Sequence, residues 1–307
     1  MTRSSPAILY IAYGTQAVRD QALFSLLTLH HHLRGNYGDL QVVIYTDDRR
    51  YYDRYASAIP IAFEPVTRKQ IQALRGELDF VHRAKVCLIR DFLHKYHRDM
   101  FFLDSDTYFT RSPAELLEQI SPQTSIMNSD DYDLNDTYPP HESLNWFKIR
   151  RAIRDHTYTV NGQEVKIPLT TRMWNSGVIG LSRHNAGLLD DILSLTDQIY
   201  RNVRVFTAEQ FAFSYFLQNR TRVIDSGDAI FHYWPNFADR YWKDWYSYHF
   251  SIFFKKYRRA AVDEQAALAH ELTKQHDELM HPPRKPLVLK IATRLRMIAR
   301  VAVRGKL

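Results

Sequence analysis

The chain of 307 residues has a single cysteine, no Gly/Ser-rich or Gln/Asn-rich tract, and no apolar run of membrane-spanning length. One cysteine excludes an intrachain disulfide, and the apolar helical pattern around Cys87 indicates a buried, inert thiol. No window reaches the roughly 20 apolar residues that a transmembrane helix needs. The opening MTRSSPAILYIAYG also lacks the longer apolar stretch of a signal peptide. We therefore expect a globular protein of the cytosol.

Acidic side chains are missing from residues 284–307, where eight of the 41 basic side chains lie. The remaining 33 basic side chains face 34 acidic ones, so the net charge of +7 belongs to this tail, which argues against a nucleic-acid-binding surface on the body. Apolar residues recur in the tail at three- and four-residue steps, a pattern typical of a helix lying on an anionic membrane surface. A helix docked on the body with a solvated basic face has the same spacing.

Strand and helix patterns alternate from the start of the chain. β-branched and aromatic runs at 7–13 and 41–46 predict strands, and 17–33 between them has helical spacing. A second helix is expected at about 68–97, followed by the strand MFFLDSD at 100–106. This order predicts an α/β fold with a mostly parallel, twisted sheet flanked by helices.

The later part of the chain is less regular. TRMWNSGVIGLSR at 171–183 predicts another strand, and the segment 129–170 is too long for a passive connection, so we expect it to cover the site. Residues 231–257 include 13 aromatic side chains, for which core or interface packing is the default and stacking on sugar rings a narrower alternative. We predict a catalytic domain at 1–258 and a helical C-terminal extension at 259–307.

Two carboxylates, Asp104 and Asp106, end the apolar run FFLDSD. Ligands of a doubly wound sheet lie beyond the carboxyl ends of its strands, where Tyr13 and Asp47 also fall. Two carboxylate oxygens at this spacing can hold one Mg²⁺ or Mn²⁺, which completes its shell with water and phosphate oxygens. The D-x-D pattern alone is equally compatible with a structural pair.

Six short stretches follow one another between residues 7 and 240. They are ILYIAYGTQAVRDQALFSLLTL, RAKV at 83–86, FFLDSD at 101–106, WNSGVIGL at 174–181, AEQFAF at 208–213 and FHYWPN at 231–236. In this order and at this spacing they resemble the GT-A glycosyltransferases, in particular the retaining family that includes glycogenin and bacterial lipopolysaccharide galactosyltransferases.

The resemblance implies metal-dependent transfer of a hexose from a nucleotide-sugar, with a UDP-sugar as the expected donor. Asp104 and Asp106 would bind Mn²⁺ or Mg²⁺ between the two phosphates, and His232 would be the third protein ligand. As a lone histidine, His232 is equally compatible with a structural, hydrogen-bonded role.

The same resemblance assigns donor contacts. Tyr13 and Asp47 match positions that contact the base and the ribose, while Arg83 and Lys85 match basic positions that face the diphosphate. Asn175 matches a contact to the donor sugar. For the two basic residues the alternative is a solvated helix face, and for Asn175 it is an ordinary hydrogen bond of a turn.

Gln210 matches the residue that the retaining family places beneath the anomeric carbon, and Glu209 stands where most members have Asp. These two are the expected catalytic residues, and they favour retention of configuration. Asp130 and Asp131 align loosely with carboxylates that hold sugar hydroxyls, although turn capping explains them equally well.

Two other classes of protein remain open at this point. Haloacid-dehalogenase-like phosphatases also end a strand in D-x-D, but they usually have Thr or Val at the position of Tyr108. The second alternative is a membrane-attached protein that binds a nucleotide-sugar without turnover. With the glycosyltransferase interpretation we expect a saccharide or glycolipid acceptor, no nucleic-acid partner, and a location at the cytoplasmic face of a membrane.

Overall fold

The structure, a computed structural model, describes residues 5–135, 144–233 and 240–274, without the side chains of 130–132 and 240–248. Its strands are β1 (Ala7–Ile11), β2 (Val42–Thr46), β3 (Ile61–Pro65), β4 (Met100–Leu103), β5 (Thr107–Phe109), β6 (Thr124–Met127), β7 (Asp130–Asp133), β8 (Tyr158–Val160), β9 (Gln163–Val165), β10 (Arg172–Trp174), β11 (Val178–Leu181), β12 (Arg222–Asp225) and β13 (Ile230–His232). Its helices are α1 (Gln16–Leu33), α2 (Arg68–Leu74), α3 (Val81–Tyr96), α4 (Ala114–Glu118), α5 (Leu144–Asp155), α6 (Leu188–Val203), α7 (Ala208–Arg220), α8 (Arg240–Tyr257) and α9 (Val262–Lys274).

A seven-stranded sheet in the order β12-β6-β11-β4-β1-β2-β3 forms the centre of the fold. Only β11 runs against its neighbours, β4 and β6; the other strand pairs of the sheet are parallel. The apolar runs of β1 and β2 are buried, as expected for strands covered on both faces. The predicted class, an α/β fold with a mostly parallel sheet flanked by helices, is confirmed.

The two faces of the sheet bury different side chains because successive residues of a strand point to opposite sides. On one face Ala7 and Leu9 join the cluster that includes α3, α5, α6 and α7. On the other face Ile8 and Tyr10 join the cluster built from α1, α8 and α9. Helices therefore cover both sides, which leaves the strand ends as the place for polar chemistry.

Several chain segments meet at the carboxyl ends of β1, β2 and β4, since these strands are adjacent and parallel. The antiparallel strand β11 begins at the same edge, because its first residue, Val178, pairs with Leu103 at the end of β4. The residues just before β11 thus lie beside those just after β4. The antiparallel direction of β11 brings Asn175, Ser176 and Gly177 to this edge.

Two predicted elements are broken in the structure. The helix expected at 68–97 is two helices, α2 and α3, because Gly76 and Asp79 between them adopt positive φ values of 67° and 49°. The strand expected at 171–183 is also two: β10 pairs with β7 and β11 joins the main sheet. In both cases a local turn, at Gly76–Asp79 and at Asn175–Gly177, interrupts the expected element.

The aromatic segment 231–257 contributes to the core where its side chains are described. Phe250 stacks on Phe24 of α1 with ring centroids 4.1 Å apart, and Phe253 meets the same ring edge-on. Core packing, the default interpretation, accounts for these residues. Among the helices that the structure describes, none combines the length and hydropathy needed to cross a bilayer.

Helix α9 lies against α1, with Ala266 and Ala269 buried between them and His30 Nε2 2.7 Å from Asp263 Oδ1. The division at residue 258 stays a prediction. The basic tail 284–307 lies outside the described residues, and its membrane-surface helix also stays a prediction.

Candidate active site

Asp104 and Asp106 lie in the turn between β4 and β5. The apolar strand β4 ends at Leu103, and the hydroxyl of Thr107 donates to the carbonyl oxygen of Asp104 at 2.8 Å, which closes the turn. The side chain of Asp104 is 31% exposed, whereas Asp106 is buried. A short turn after a buried strand thus holds two carboxylates at the edge of the sheet, as the sequence predicts.

His232 reaches these carboxylates through strand pairing. Strand β13 runs antiparallel to β5 with His232 opposite Thr107, and the Tyr233 amide donates to the carbonyl oxygen of Asp106 at 3.1 Å. One ligand atom from each of Asp104, Asp106 and His232 lies within 4.8 Å of the other two. The structure therefore joins the three residues that the resemblance names as metal ligands.

The donor set fits a divalent cation. Nε2 of His232 is buried and has no hydrogen-bond partner among the described residues, although Asp106 Oδ1 lies 3.4 Å from it. A buried nitrogen without a partner is costly unless it binds something, and here it faces two carboxylates. One imidazole and two carboxylates suit Mn²⁺, because carboxylates favour hard cations and imidazole favours transition metals.

Burial and the surrounding charges set the protonation of the cluster in the absence of a cation. Burial raises the pKa of Asp104, the charge of Asp106 adds to this rise, and the Lys85 ammonium opposes it. Burial alone would lower the pKa of His232, but the carboxylates of Asp106 and Asp104 outweigh it and raise the pKa. Neighbouring carboxylate charge contributes to both shifts, and a bound cation would offset that charge.

A buried ion pair lies next to Asp104. Lys85 Nζ lies 3.2 Å from Asp104 Oδ2 and 2.8 Å from Glu209 Oε1, and the hydroxyl of Ser176 donates to the same Glu209 oxygen at 2.8 Å. Lys85 also donates to the carbonyl oxygen of Ser176 at 2.9 Å. Burial would raise the pKa of Glu209, but the Lys85 and His82 charges and the hydrogen bonds from Lys85 and Ser176 together outweigh it and lower the pKa. Glu209 is 2% exposed and engaged by Lys85 and Ser176, a position that favours holding Lys85 over touching a sugar.

The two basic residues of the RAKV stretch point in different directions. Arg83 pairs with Asp197 of α6, with Nε 2.9 Å from Oδ1, and donates to the Leu74 carbonyl oxygen at 2.8 Å. Residues two apart on a helix lie on different faces, so Lys85 can reach Asp104 while Arg83 turns to α6. The structure does not bring Arg83 to Asp104 or Asp106.

The residues expected to contact the nucleoside lie at the ends of β1 and β2. Asp47 accepts from the Gly14 amide at 3.0 Å and from Arg19 at 2.8 Å, so it joins the two loops. Tyr13 is partly buried; burial raises the pKa of its hydroxyl, with Arg75 opposing and Asp47 adding to the rise. Both residues share the sheet edge with Asp104, and their contacts to a base and a ribose stay predictions.

Of the other predicted residues, some lie at the cluster and some have side chains that the structure does not describe. Asn175 lies at the cluster, with its Oδ1 2.9 Å from His232 Nδ1. Gln210 is partly buried in the first turn of α7, next to Glu209, and its role beneath an anomeric carbon stays a prediction. Asp130 lies in β7, but the side chains of Asp130 and Asp131 are outside the described part. The cover expected from 129–170 includes 136–143, which the structure does not describe, and it also stays a prediction.

Sequence reasoning missed two residues of this site. Ser176 joins Lys85 to Glu209, and its place between Asn175 and Gly177 in the broken strand was the available signal. Burial lowers the pKa of His82, which feels the charges of Glu209 and Lys85. His82 precedes Lys85 by three residues, a spacing that places both on one helix face.

Comparisons with known proteins give distant matches in fold only. No family model matches the chain, and no curated protein matches it. Galactosyltransferase LgtC in complex with donor and acceptor sugar analogues is similar over 72% of this chain and 73% of that chain, with 10% identity and a TM-score of 0.47. Mouse xyloside xylosyltransferase 1 in its apo form is similar over 72% of this chain and 85% of that chain, with 14% identity and a TM-score of 0.46.

A glycosyltransferase involved in glycosylation of the major capsid of PBCV-1 is similar over 80% of this chain and 100% of that chain, with 13% identity and a TM-score of 0.42. All three are glycosyltransferases by name. At these scores the likeness assigns no residue and no reaction to this chain.

Proposed function

We propose that the chain is a metal-dependent glycosyltransferase that moves a hexose from a nucleotide-sugar to a saccharide acceptor. The observation that carries the proposal is the group Asp104, Asp106 and His232, in which the buried Nε2 faces two carboxylates at the carboxyl-end edge of an α/β sheet. A D-x-D turn with a third ligand from a distant strand is a site for a cation and a diphosphate.

The reaction breaks the bond between the anomeric carbon and the diphosphate oxygen, and it forms a bond from that carbon to an acceptor hydroxyl oxygen, whose proton is released. When bound, the cation supplies positive charge that stabilises the departing nucleoside diphosphate. Lys85 holds a second positive charge beside Asp104, because the charges of Asp104 and Glu209 raise its pKa despite burial. We infer that Lys85 orients Asp104 and adds to the positive field at the diphosphate.

The finer parts of the proposal rest on the motif resemblance. A UDP-sugar is the preferred donor, with Tyr13 and Asp47 at the base and ribose and with Mn²⁺ ahead of Mg²⁺. Gln210 lies one residue from the buried Glu209 at the start of α7, and we infer that it contacts the sugar near its anomeric carbon with retention of configuration. Arg83 is ion-paired with Asp197, so it would need to leave this partner to contact a phosphate.

The test is release of the nucleoside diphosphate from a panel of UDP- and GDP-sugars with Mn²⁺, with and without EDTA. Asp104→Ala and Asp106→Ala should each lower turnover by about 100-fold or more. Each variant lacks one ligand of the metal ion whose charge would stabilise the leaving group. The matched control is Asp53→Ala, an exposed carboxylate outside the cluster, which should retain wild-type turnover. Wild-type activity unchanged by EDTA would contradict the proposal.

Two further measurements separate the alternatives. A phosphatase would release inorganic phosphate from p-nitrophenyl phosphate and leave nucleotide-sugars intact. A binding protein without turnover would bind Mn²⁺ and UDP-sugar in calorimetry, with no product from any donor.

We also propose that the acceptor is lipid-linked and presented at the cytoplasmic face of a membrane. This part rests on the sequence of the basic tail 284–307, where each basic residue near anionic lipid contributes about 1 kcal/mol. A chain ending at Met280 should lose binding to vesicles of anionic lipid while it keeps donor hydrolysis. Equal vesicle binding by the full chain and the shortened chain at low salt would contradict this part alone.

A further inference from the structure

Asn175 is held at the site by its own backbone. Its amide donates to the Ser129 carbonyl oxygen at 2.7 Å, and its carbonyl oxygen accepts from the Asn128 amide at 3.0 Å. These two bonds join the residue to the end of β6, next to the main sheet. The backbone of Asn175 is therefore held against the segment that follows β6.

The side-chain oxygen of Asn175 accepts two hydrogen bonds. The Gly177 amide donates to Oδ1 at 2.8 Å, which identifies this atom as an acceptor, because a backbone N–H can only donate. His232 Nδ1 lies 2.9 Å from the same oxygen. The Nδ1 atom must then carry the proton of the neutral ring, and Nε2 carries the lone pair.

Gly177 makes room for the ring that Asn175 orients. A Cβ atom at this position would lie 2.3 Å from both Cε1 and Nδ1 of His232, closer than any real contact. The Gly177 carbonyl oxygen also accepts from the Asp104 amide at 2.8 Å. One turn, Asn175 to Gly177, thus contacts a backbone group of one metal-ligand candidate and the ring of another.

We propose that Asn175 is the positioning residue of the metal centre: it fixes the tautomer and orientation of His232 so that Nε2 faces the cation. This inference rests on the proposed function, because it assigns a role at the same site. It differs from the sugar contact expected from the sequence, since both lone pairs of Oδ1 are already used. Only the amide nitrogen is left for a sugar hydroxyl.

The first test measures Mn²⁺ affinity by electron paramagnetic resonance, without any sugar donor. Asn175→Ala should weaken Mn²⁺ binding by about 10- to 100-fold, the usual effect of losing a group that orients a histidine ligand. Asn175→Asp keeps an acceptor for Nδ1–H and should restore binding to near the wild-type value. The matched control is Asn128→Ala, a neighbouring carboxamide bonded to the Ser226 hydroxyl, which should leave Mn²⁺ affinity unchanged.

A second variant and a second readout guard against a fold defect in Asn175→Ala. Gly177→Ala retains the carboxamide but displaces the ring, so it should weaken Mn²⁺ binding to a similar extent. In wild-type protein loaded with diamagnetic Mg²⁺, long-range nitrogen–proton NMR correlations should show His232 protonated at Nδ1. A ring protonated at Nε2 would overturn the inference.

The outcomes separate this inference from the proposed function. Wild-type protein that binds no Mn²⁺ would overturn both. If a folded Asn175→Ala variant binds Mn²⁺ as tightly as the wild type does, the positioning role is overturned and the proposed function stands. A variant with normal Mn²⁺ affinity and weaker UDP-sugar binding would return Asn175 to the sugar contact.

Discussion

Two histidine-containing regions of this protein shift the histidine pKa in opposite directions. At the sheet edge, His232 lies between carboxylates, and their charges raise its pKa against the effect of burial. Between α1 and α9, His31, His32 and His270 pack against one another, and burial lowers the pKa of each. The first region favours positive charge and the second excludes it.

The second region, the α1–α9 histidine cluster, consists of these three rings. His31 and His270 are stacked with centroids 4.0 Å apart, and His32 meets His270 edge-on at 4.9 Å. His32 Nε2 and His270 Nδ1 are buried without a hydrogen-bond partner in the described part of the chain. These nitrogens resemble His232 Nε2 in lacking a hydrogen bond. Among the residues described, however, only the sheet-edge group combines three candidate ligand atoms within 4.8 Å.

The difference shows that an unpartnered ring nitrogen indicates a ligand only together with its neighbours. Carboxylates beside His232 supply the charge that a cation needs, whereas the titratable groups that act on His32 are other imidazoles. A buried ring nitrogen without a hydrogen bond therefore indicates a binding site in one region and an uncharged packing contact in the other. Each region should respond to a different disturbance.

Removing the Lys85 ammonium from the sheet edge should have the largest effect on stability. Lys85→Met leaves Glu209 buried and uncompensated, so the free energy of unfolding should fall by about 3–5 kcal/mol. Urea titration followed by circular dichroism measures the loss. Adding Glu209→Gln to Lys85→Met should restore part of it, because the unpaired charge is then gone.

The control for this change lies on the same helix. Lys95 pairs with Glu64 at 2.5 Å, but its side chain is 55% exposed, and Glu64 also accepts from the Tyr96 hydroxyl. Lys95→Met should lower the free energy of unfolding by no more than about 1 kcal/mol. Equal losses for Lys85→Met and Lys95→Met would show that charge compensation does not distinguish the sheet-edge region.

Mild acid should disturb the α1–α9 histidine cluster by a smaller amount. Burial, with the charges of His270 and His31, lowers the pKa of His32 from 6.5 to about 4 in the folded protein. The unfolded chain therefore binds more protons between these values, and stability is complete above pH 6.5 and falls as the pH drops towards 4. Hydrogen-exchange protection of α9 amides should decrease from pH 7.5 to 5, before that of β1.

The charges around the cluster act in both directions, so variants are needed to assign the effect. Lys274 and Arg34 oppose protonation of His31, and Glu271 favours it. His32→Phe keeps a ring without a titrating nitrogen and should reduce the loss of α9 protection at pH 5. The control, His94→Phe, replaces an exposed histidine of α3 and should leave that loss unchanged. Protection of α9 that is equal at both pH values in the wild type would contradict the prediction.

Much of the sheet edge followed from local sequence patterns. The apolar run before Asp104 predicted a buried strand, and the carboxyl end of such a strand is where two acids find a ligand. The break at Asn175–Gly177 was not predicted, although three turn-type residues, Asn, Ser and Gly, stand between the two apolar parts of WNSGVIGL. The different directions of Arg83 and Lys85 depend on where α3 packs, which a basic motif does not reveal.

The sequence by itself determined the elements whose cause is local: the strands β1, β2 and β4, the helix α1, and the pair of carboxylates after Leu103. Their apolar spacing and strand-ending turns involve residues close together in the chain. Tertiary structure alone decided the rest. The register of β13 on β5 brings His232 to Asp106, and the antiparallel β11 brings Asn175 to His232. These pairings join residues far apart in the chain, so they depend on how the whole sheet is ordered and packed.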